Sequence, residues 1–184
     1  SYIPLYKLIQ RATFPGVQGT PYFNHIAAKA VFFRETLSDE YKARQFKIVE
    51  NAKTLANNLL NLGYNVLAGG TDNHMILVNV ANLRKHLTGV IAQKCLEDCG
   101  IVVDMYKLPY DNREASVTSG IRLGTPIVTK RVMGTDQMQA IAAMIDAVLR
   151  AVKIINDTEY EIDESLKRQT RNKVKDLCSK FPVR

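Results

Sequence analysis

No apolar run in this chain approaches the roughly 20 residues that a membrane-crossing helix needs. The opening Ser1-Tyr2-Ile3-Pro4 lacks a basic stretch followed by an apolar core, so it does not read as a signal peptide, and it lacks an initiator methionine. Cysteine is scarce. Cys95, Cys99 and Cys178 are the only three, and any disulfide scheme leaves one of them unpaired. There is no Cys-x-x-Cys and no pair of histidines at helical spacing, hence no metal-ligand pattern. The expectation is reduced thiols in the cytoplasm, no metal and no membrane. Internal repeats and low-complexity segments are also lacking.

What is present fits a globular protein. The 184 residues are 46% hydrophobic and 23% charged, enough to bury a real core. The formal charge of +7 raises nucleic acid as a partner. The basic residues are dispersed, however, and the densest set (Lys167, Arg168, Arg171, Lys173, Lys175, Lys180, Arg184) is interrupted by Asp176 and spaced like the wet face of a helix. A solvated face is expected rather than a nucleic-acid site.

Along the chain, residues 1–13 show no clear period and predict an irregular lead-in. Residues 14–21, punctuated by Pro15, Gly16, Gly19 and Pro21, predict a loop. Asn24 is positioned to cap a helix from His25 to about Leu37, whose Ala27, Ala28, Ala30 and Val31 predict close packing. Ser38 reads as the N-cap of a second helix reaching Leu62, with Phe46, Val49, Ala52, Ala56, Leu59 and Leu60 as its apolar stripe and Gly63 as its terminator. Strands are predicted at 64–68, 75–80, 101–103 and 121–123. Thr88 should start a helix closed by Gly100, Thr135 should cap a long helix through Val152, and a last helix should span 162–179. Interspersed helices and short strands predict a small layered α/β unit.

The stretch Ser116-Val117-Thr118-Ser119-Gly120-Ile121-Arg122-Leu123-Gly124-Thr125-Pro126 stands out. It places an arginine inside a strand bounded by glycines. An unpartnered guanidinium in a buried strand costs several kcal/mol, of the order of ~3–5. Arg122 therefore needs an anion: either an internal Asp or Glu, or a ligand carboxylate gripped by its planar fork.

Ser-Gly-Ile-Arg-Leu-Gly-Thr-Pro resembles the substrate-carboxylate motif of the serine hydroxymethyltransferases, which use pyridoxal phosphate. Phe14-Pro15-Gly16-Val17-Gln18-Gly19 resembles that family's glycine-rich loop. Gly69-Gly70-Thr71-Asp72-Asn73-His74 resembles its Gly-Gly-Thr-Asp-Asn-His turn, and Leu87-Thr88-Gly89 a helix opening. The ending from Lys173 to Pro182 resembles its C-terminus. The resemblance implies the small C-terminal domain of the aspartate-aminotransferase type (fold type I), with residues 1–36 as the tail of a large cofactor-binding domain and residues 37–184 as the small domain. It implies serine–glycine interconversion with a one-carbon unit passed to tetrahydrofolate, and a homodimer or dimer of dimers.

By the same resemblance, Arg122 binds the carboxylate of serine or glycine, and Gly19 and Thr20 contact the cofactor phosphate across a subunit boundary. Thr20 stands where the family has a second glycine, so a reshaped loop is expected. The folate region departs further. Asp104, Met105 and Tyr106 replace an Asn-Lys-Asn run, and Ser116 replaces an aromatic found in some members. Tyr106 could stack on a pteridine but lacks the amide's paired hydrogen bonds. Val132 replaces a glycine. These departures leave two alternatives open: a folate-independent aldolase or transaldolase, and a non-catalytic relative serving as a binding subunit. His25, His74 and His86 are expected to be structural, with His74 fixing its turn, and Cys95 and Cys99 to be packing residues. No catalytic residue is assigned within the chain. The lysine that holds the cofactor is expected upstream of Ser1, as in a fragment inactive by itself.

Overall fold

The structure is a computed structural model in which residues 2–183 are described. The chain divides into two compact units, Ser1–Lys42 and Ala43–Arg184.

The first unit holds helix α1 (Leu5–Arg11), a wound segment Ala12–Val17 broken at Phe14 and Pro15, and helix α2 (Phe23–Thr36). The lead-in expected to be irregular is thus helical. Pro4 precedes the first helical residue, where its ring does no harm, and its carbonyl accepts from the N–H groups of Lys7 and Leu8. Helix α2 begins before Asn24, with Tyr22 at its N-cap and no side-chain cap. Neither helix has a buried residue. The close packing foreseen for the α2 alanines therefore has no counterpart among the described residues.

Helix α3 (Asp39–Asn61) is capped by Ser38, whose Oγ accepts from the Tyr41 N–H at 3.1 Å. Its buried stripe is Ile48, Asn51, Ala52, Leu55, Ala56 and Leu59. Phe46, expected in that stripe, is 77% exposed. The buried stripe includes a polar residue, which an apolar pattern does not reveal. Asn51 is fully buried, and its Nδ2 donates to Thr129 Oγ1 and to the Met133 carbonyl, both at 2.9 Å. Gly63, at φ +88°, ends the helix as expected.

Four strands form one antiparallel sheet in the order β1-β2-β4-β3: β1 (Asn65–Val66), β2 (Met75–Asn79), β3 (Asp104–Tyr106) and β4 (Gly120–Gly124). Strand β1 is shorter than predicted, because Ala68 turns to φ +56° within the 3-10 turn Leu67–Gly69. The third strand lies three residues later than predicted. The apolar run Ile101-Val102-Val103 suggested extended structure, but it is Asp104, Met105 and Tyr106 that pair with Arg122, Ile121 and Gly120.

Helix α4 (Gly89–Asp98) starts from Thr88, whose Oγ1 accepts from the Ile91 N–H at 3.2 Å. A short α5 (Pro126–Lys130) and a hairpin of β5 (Lys153–Ile154) and β6 (Tyr160–Glu161) were not foreseen. Helix α6 (Thr135–Ala151) is capped from Gly134 rather than Thr135, and the Gly134 N–H donates to the Gln137 side chain at 2.8 Å. Helix α7 (Glu164–Lys180) carries Arg168, Arg171, Lys173, Lys175 and Lys180 exposed.

Side chains alternate across the sheet. Ile76, Val78, Ile121 and Leu123 join one core with α3, α4 and α6, where Cys95, Cys99, Met138, Ile145 and Leu149 are also buried. The opposite face carries Met75, Leu77, Asn79, Asp104, Tyr106 and Arg122. The unit is α/β, a small antiparallel sheet with helices on its core face. No helix among the described residues is long and apolar enough to cross a membrane.

Candidate functional site

The motif strand is held from its N-terminal side by an aspartate. Asp111 accepts from the Ser119 N–H at 2.6 Å, the Ser119 hydroxyl at 2.8 Å and the Arg113 N–H at 3.1 Å. Partial burial raises the carboxyl pKa, but the hydrogen bonds from Arg113 and Ser119 outweigh it and hold the group below the usual carboxylate range. Thr118, buried at φ +54°, accepts through its carbonyl from the Gly89 N–H at 3.0 Å, which ties the strand's approach to the start of α4. Gly120 is required sterically. A Cβ there would lie 2.5 Å from the Leu108 side chain and 2.8 Å from the Tyr106 carbonyl oxygen.

Arg122 sits at the centre of the open face. The burial assumed for its strand is one-sided, and the side chain is 40% exposed. Its Nη2 donates to Asp104 Oδ2 at 2.5 Å, so in this chain the guanidinium has an internal carboxylate partner. Asp104 is the cross-strand partner of Arg122 in the β3–β4 register. On the same face, the guanidinium carbon lies 5.6 Å from the centre of the Tyr106 ring, in cation–π range. Asp104, Tyr106 and Arg122 thus form one cluster. The Asp104 contact went unforeseen because the shifted strand boundary hid the register that creates it.

The remaining candidates lie elsewhere. Ser116 is exposed on the turn 115–117, with no hydrogen bond to Arg122 among the described residues. Gly19 and Thr20 lie in the first unit, beyond the wound segment. Neither has a positive φ, so threonine at position 20 is unstrained. A Cβ at Gly19 would meet nothing within 4 Å. Among the described residues, the N–H groups of Gly19 and Thr20 donate to no protein acceptor, whereas the preceding Gln18 N–H donates to the Thr13 carbonyl at 2.8 Å. Two exposed, uncommitted amide donors on a glycine-containing loop suit a phosphate.

The turn before β2 is fixed by Thr71 and Asn73 rather than by the His74 ring. Thr71 Oγ1 donates to the Met75 carbonyl at 2.6 Å, and Asn73 Oδ1 accepts from the Met75 N–H at 2.7 Å. His74 contributes its carbonyl, which accepts from the Thr125 N–H at 3.2 Å. All three cysteines are free thiols. Burial, with the neighbouring Cys99, pushes the Cys95 thiol up to about 12, so it stays protonated at neutral pH. Among the described residues, no group of three or more His, Cys, Asp or Glu is arranged to hold a metal.

A family model described as serine hydroxymethyltransferase matches residues 2–145. That span takes in the glycine-rich loop, the Gly69–His74 turn, the Leu87–Gly89 helix start and the Arg122 strand. The ending at 173–182, which also resembles the family, lies beyond it. With well over half of its length matched, this chain belongs to the serine hydroxymethyltransferase family.

Proposed function

We propose that the chain is the carboxylate-recognising C-terminal part of a pyridoxal-phosphate-dependent serine hydroxymethyltransferase, interconverting serine and glycine with tetrahydrofolate as one-carbon acceptor. In this reading it is the small domain of a fold type I enzyme in the cytoplasm, and residues 1–36 belong to the large domain. The observation that carries it is Arg122: a half-exposed guanidinium, fixed at mid-sheet, with only one nitrogen hydrogen-bonded among the described residues. A ligand carboxylate can take the guanidinium fork with two parallel bonds by sharing Nη2 with Asp104 or displacing it. Gly19 and Thr20 would hold the cofactor phosphate through their amides.

The bound cofactor supplies the electron sink that weakens bonds to the amino acid's α-carbon. The residues of this chain bind and orient. Arg122 anchors the carboxylate, which restricts rotation of the amino acid, and the sheet beneath Arg122 keeps that anchor rigid.

A folate-independent aldolase or transaldolase is the second reading. Tyr106 favours it: it has no amide to pair with a pteridine, and one side of its ring faces the Arg122 guanidinium. Turnover of serine with and without tetrahydrofolate separates the two.

Arg122→Lys in the full-length protein tests the shared core of both readings. Lysine keeps the charge but loses the fork, and a hydrogen bond to a charged group is worth about 1.5–3 kcal/mol. Serine kcat/KM should fall at least tenfold. An unchanged KM and kcat would reject the assignment.

A further inference from the structure

We infer that Asp104 is a specificity-determining residue: its carboxylate occupies part of the Arg122 guanidinium that a substrate carboxylate seeks, so strand β3 competes with the ligand and disfavours acidic ones. The inference rests on Arg122 being the carboxylate anchor proposed above.

The register brings the two side chains together. Asp104 and Arg122 are directly opposed across β3 and β4, on the same open face, and the Nη2–Oδ2 distance is 2.5 Å. The pair is also weak enough to yield. Its side chains are 60% and 40% exposed, and exposed ion pairs are worth only about 0.2–1 kcal/mol. An arriving carboxylate therefore meets a guanidinium whose charge is already offset. It must either share the fork with Asp104 or displace it. Tyr106 keeps the guanidinium in place meanwhile, because a ring contact at 5.6 Å does not depend on Asp104.

A second consequence follows from charge. A ligand with one carboxylate, such as glycine or serine, meets the Asp104 charge once. A dicarboxylic amino acid brings a second anion close to Asp104, and like charges so near a surface repel. Asp104 thus favours small neutral amino acids over aspartate or glutamate without contacting their side chains.

The test is Asp104→Asn in the full-length protein loaded with pyridoxal phosphate, titrated calorimetrically with glycine and with aspartate. Asparagine keeps the shape and removes the charge. Glycine should bind about fivefold more tightly, the upper end for an exposed pair, and aspartate should gain more than glycine does. Unchanged or weaker glycine binding would overturn the inference and make Asp104 an orienting partner of Arg122. Equal gains for both ligands would overturn the selectivity claim. Asp104→Ser, which also removes the charge, covers the case in which asparagine disturbs the strand. Arg122→Lys, titrated alongside, separates the two levels. Loss of glycine binding there with no gain in the Asp104 variants sinks this inference alone, whereas no loss there sinks the functional reading beneath it.

Discussion

At the scale of single residues, Val132 is the clearest conflict between side chain and backbone. It follows α5 at φ +64°, two-thirds exposed, with its N–H donating to the Thr129 carbonyl at 2.9 Å. A β-branched residue in the left-handed region carries a steric cost of about 1–2 kcal/mol. Glycine adopts that backbone freely but gives the unfolded chain more freedom, which offsets part of the gain. Val132→Gly should therefore stabilise by about 1 kcal/mol and raise the melting temperature by ~2–4 °C in a unit of this size. A melting temperature that stays level or falls would show that the side chain has compensating contacts. The glycine that the resemblance places here would take this backbone without strain, between the end of α5 and the start of α6.

At the scale of elements, Asp111 fastens the approach to β4, and it does so only while ionised. Its carboxyl pKa is lower folded than unfolded, so its contribution is fully present above the ordinary carboxylate pKa of about 3.9 and is lost as pH falls through the folded value. Asp111→Asn keeps one acceptor oxygen and puts an NH2 donor in place of the other, so one of the Ser119 and Arg113 amides, which use different oxygens, loses its acceptor and the charge is gone. The expected cost near pH 7 is about 1–2 kcal/mol, kept to the lower part of the range by partial exposure. Denaturant titrations at pH 7 and pH 3 should find the gap between variant and wild type narrowing in acid. A gap independent of pH would mean that shape, not charge, is what Asp111 supplies.

The same element shows what pattern reading could see. Helices with a capping hydroxyl or a terminal glycine (α3, α4) were legible, because the hydrogen bond that stops or starts them is local. The α6 stripe was legible because Met138, Ala142, Ile145 and Leu149 repeat every three or four residues and nothing polar interrupts them. Strand β3 was misplaced because its residues alternate, with Asp104 and Tyr106 on the wet face, while the apolar run just before them is not paired. Asp111 stands in no periodic pattern, since its partners are Arg113 and Ser119, two and eight positions on. Arg122 was legible as a residue needing an anion. Which anion holds it in the free chain depended on a cross-strand register that no local pattern encodes.

At the scale of the molecule, α1 and α2 have no buried residue, yet they expose Leu5, Tyr6, Ile9, Phe23, Phe32 and Phe33 among other large apolar side chains. Surface of this kind marks an interaction site. We propose that in the full enzyme it would be covered by the large domain and a second copy, and that Gly19 and Thr20 would serve the neighbouring subunit's cofactor in a C2 homodimer. Gly19→Phe suits a test, because a side chain at Gly19 meets nothing within 4 Å in the chain itself. The variant should fold normally and retain pyridoxal phosphate poorly. Mixed with a variant of the proposed enzyme whose cofactor-binding lysine is replaced, and allowed to exchange subunits, it should recover activity at one site of each hybrid dimer, about a quarter of wild type for full exchange. Verified exchange without recovery would mean that the loop serves its own subunit.

The strand order β1-β2-β4-β3 has a kinetic meaning. Strand β4 lies between β2 and β3, and it is the last of the four along the chain. Until it has been synthesised, β3 has no partner and β2 has only the two-residue β1, so the sheet cannot grow in chain order. Pairing Leu77 with Arg122 closes a long loop, the slow kind of contact in folding. On a ribosome the half-finished chain would wait with one edge of β2 unpaired, a state open to aggregation or chaperone capture. The strand that carries the carboxylate anchor is therefore the one that completes the sheet, and recognition becomes possible in the same step that ends the wait.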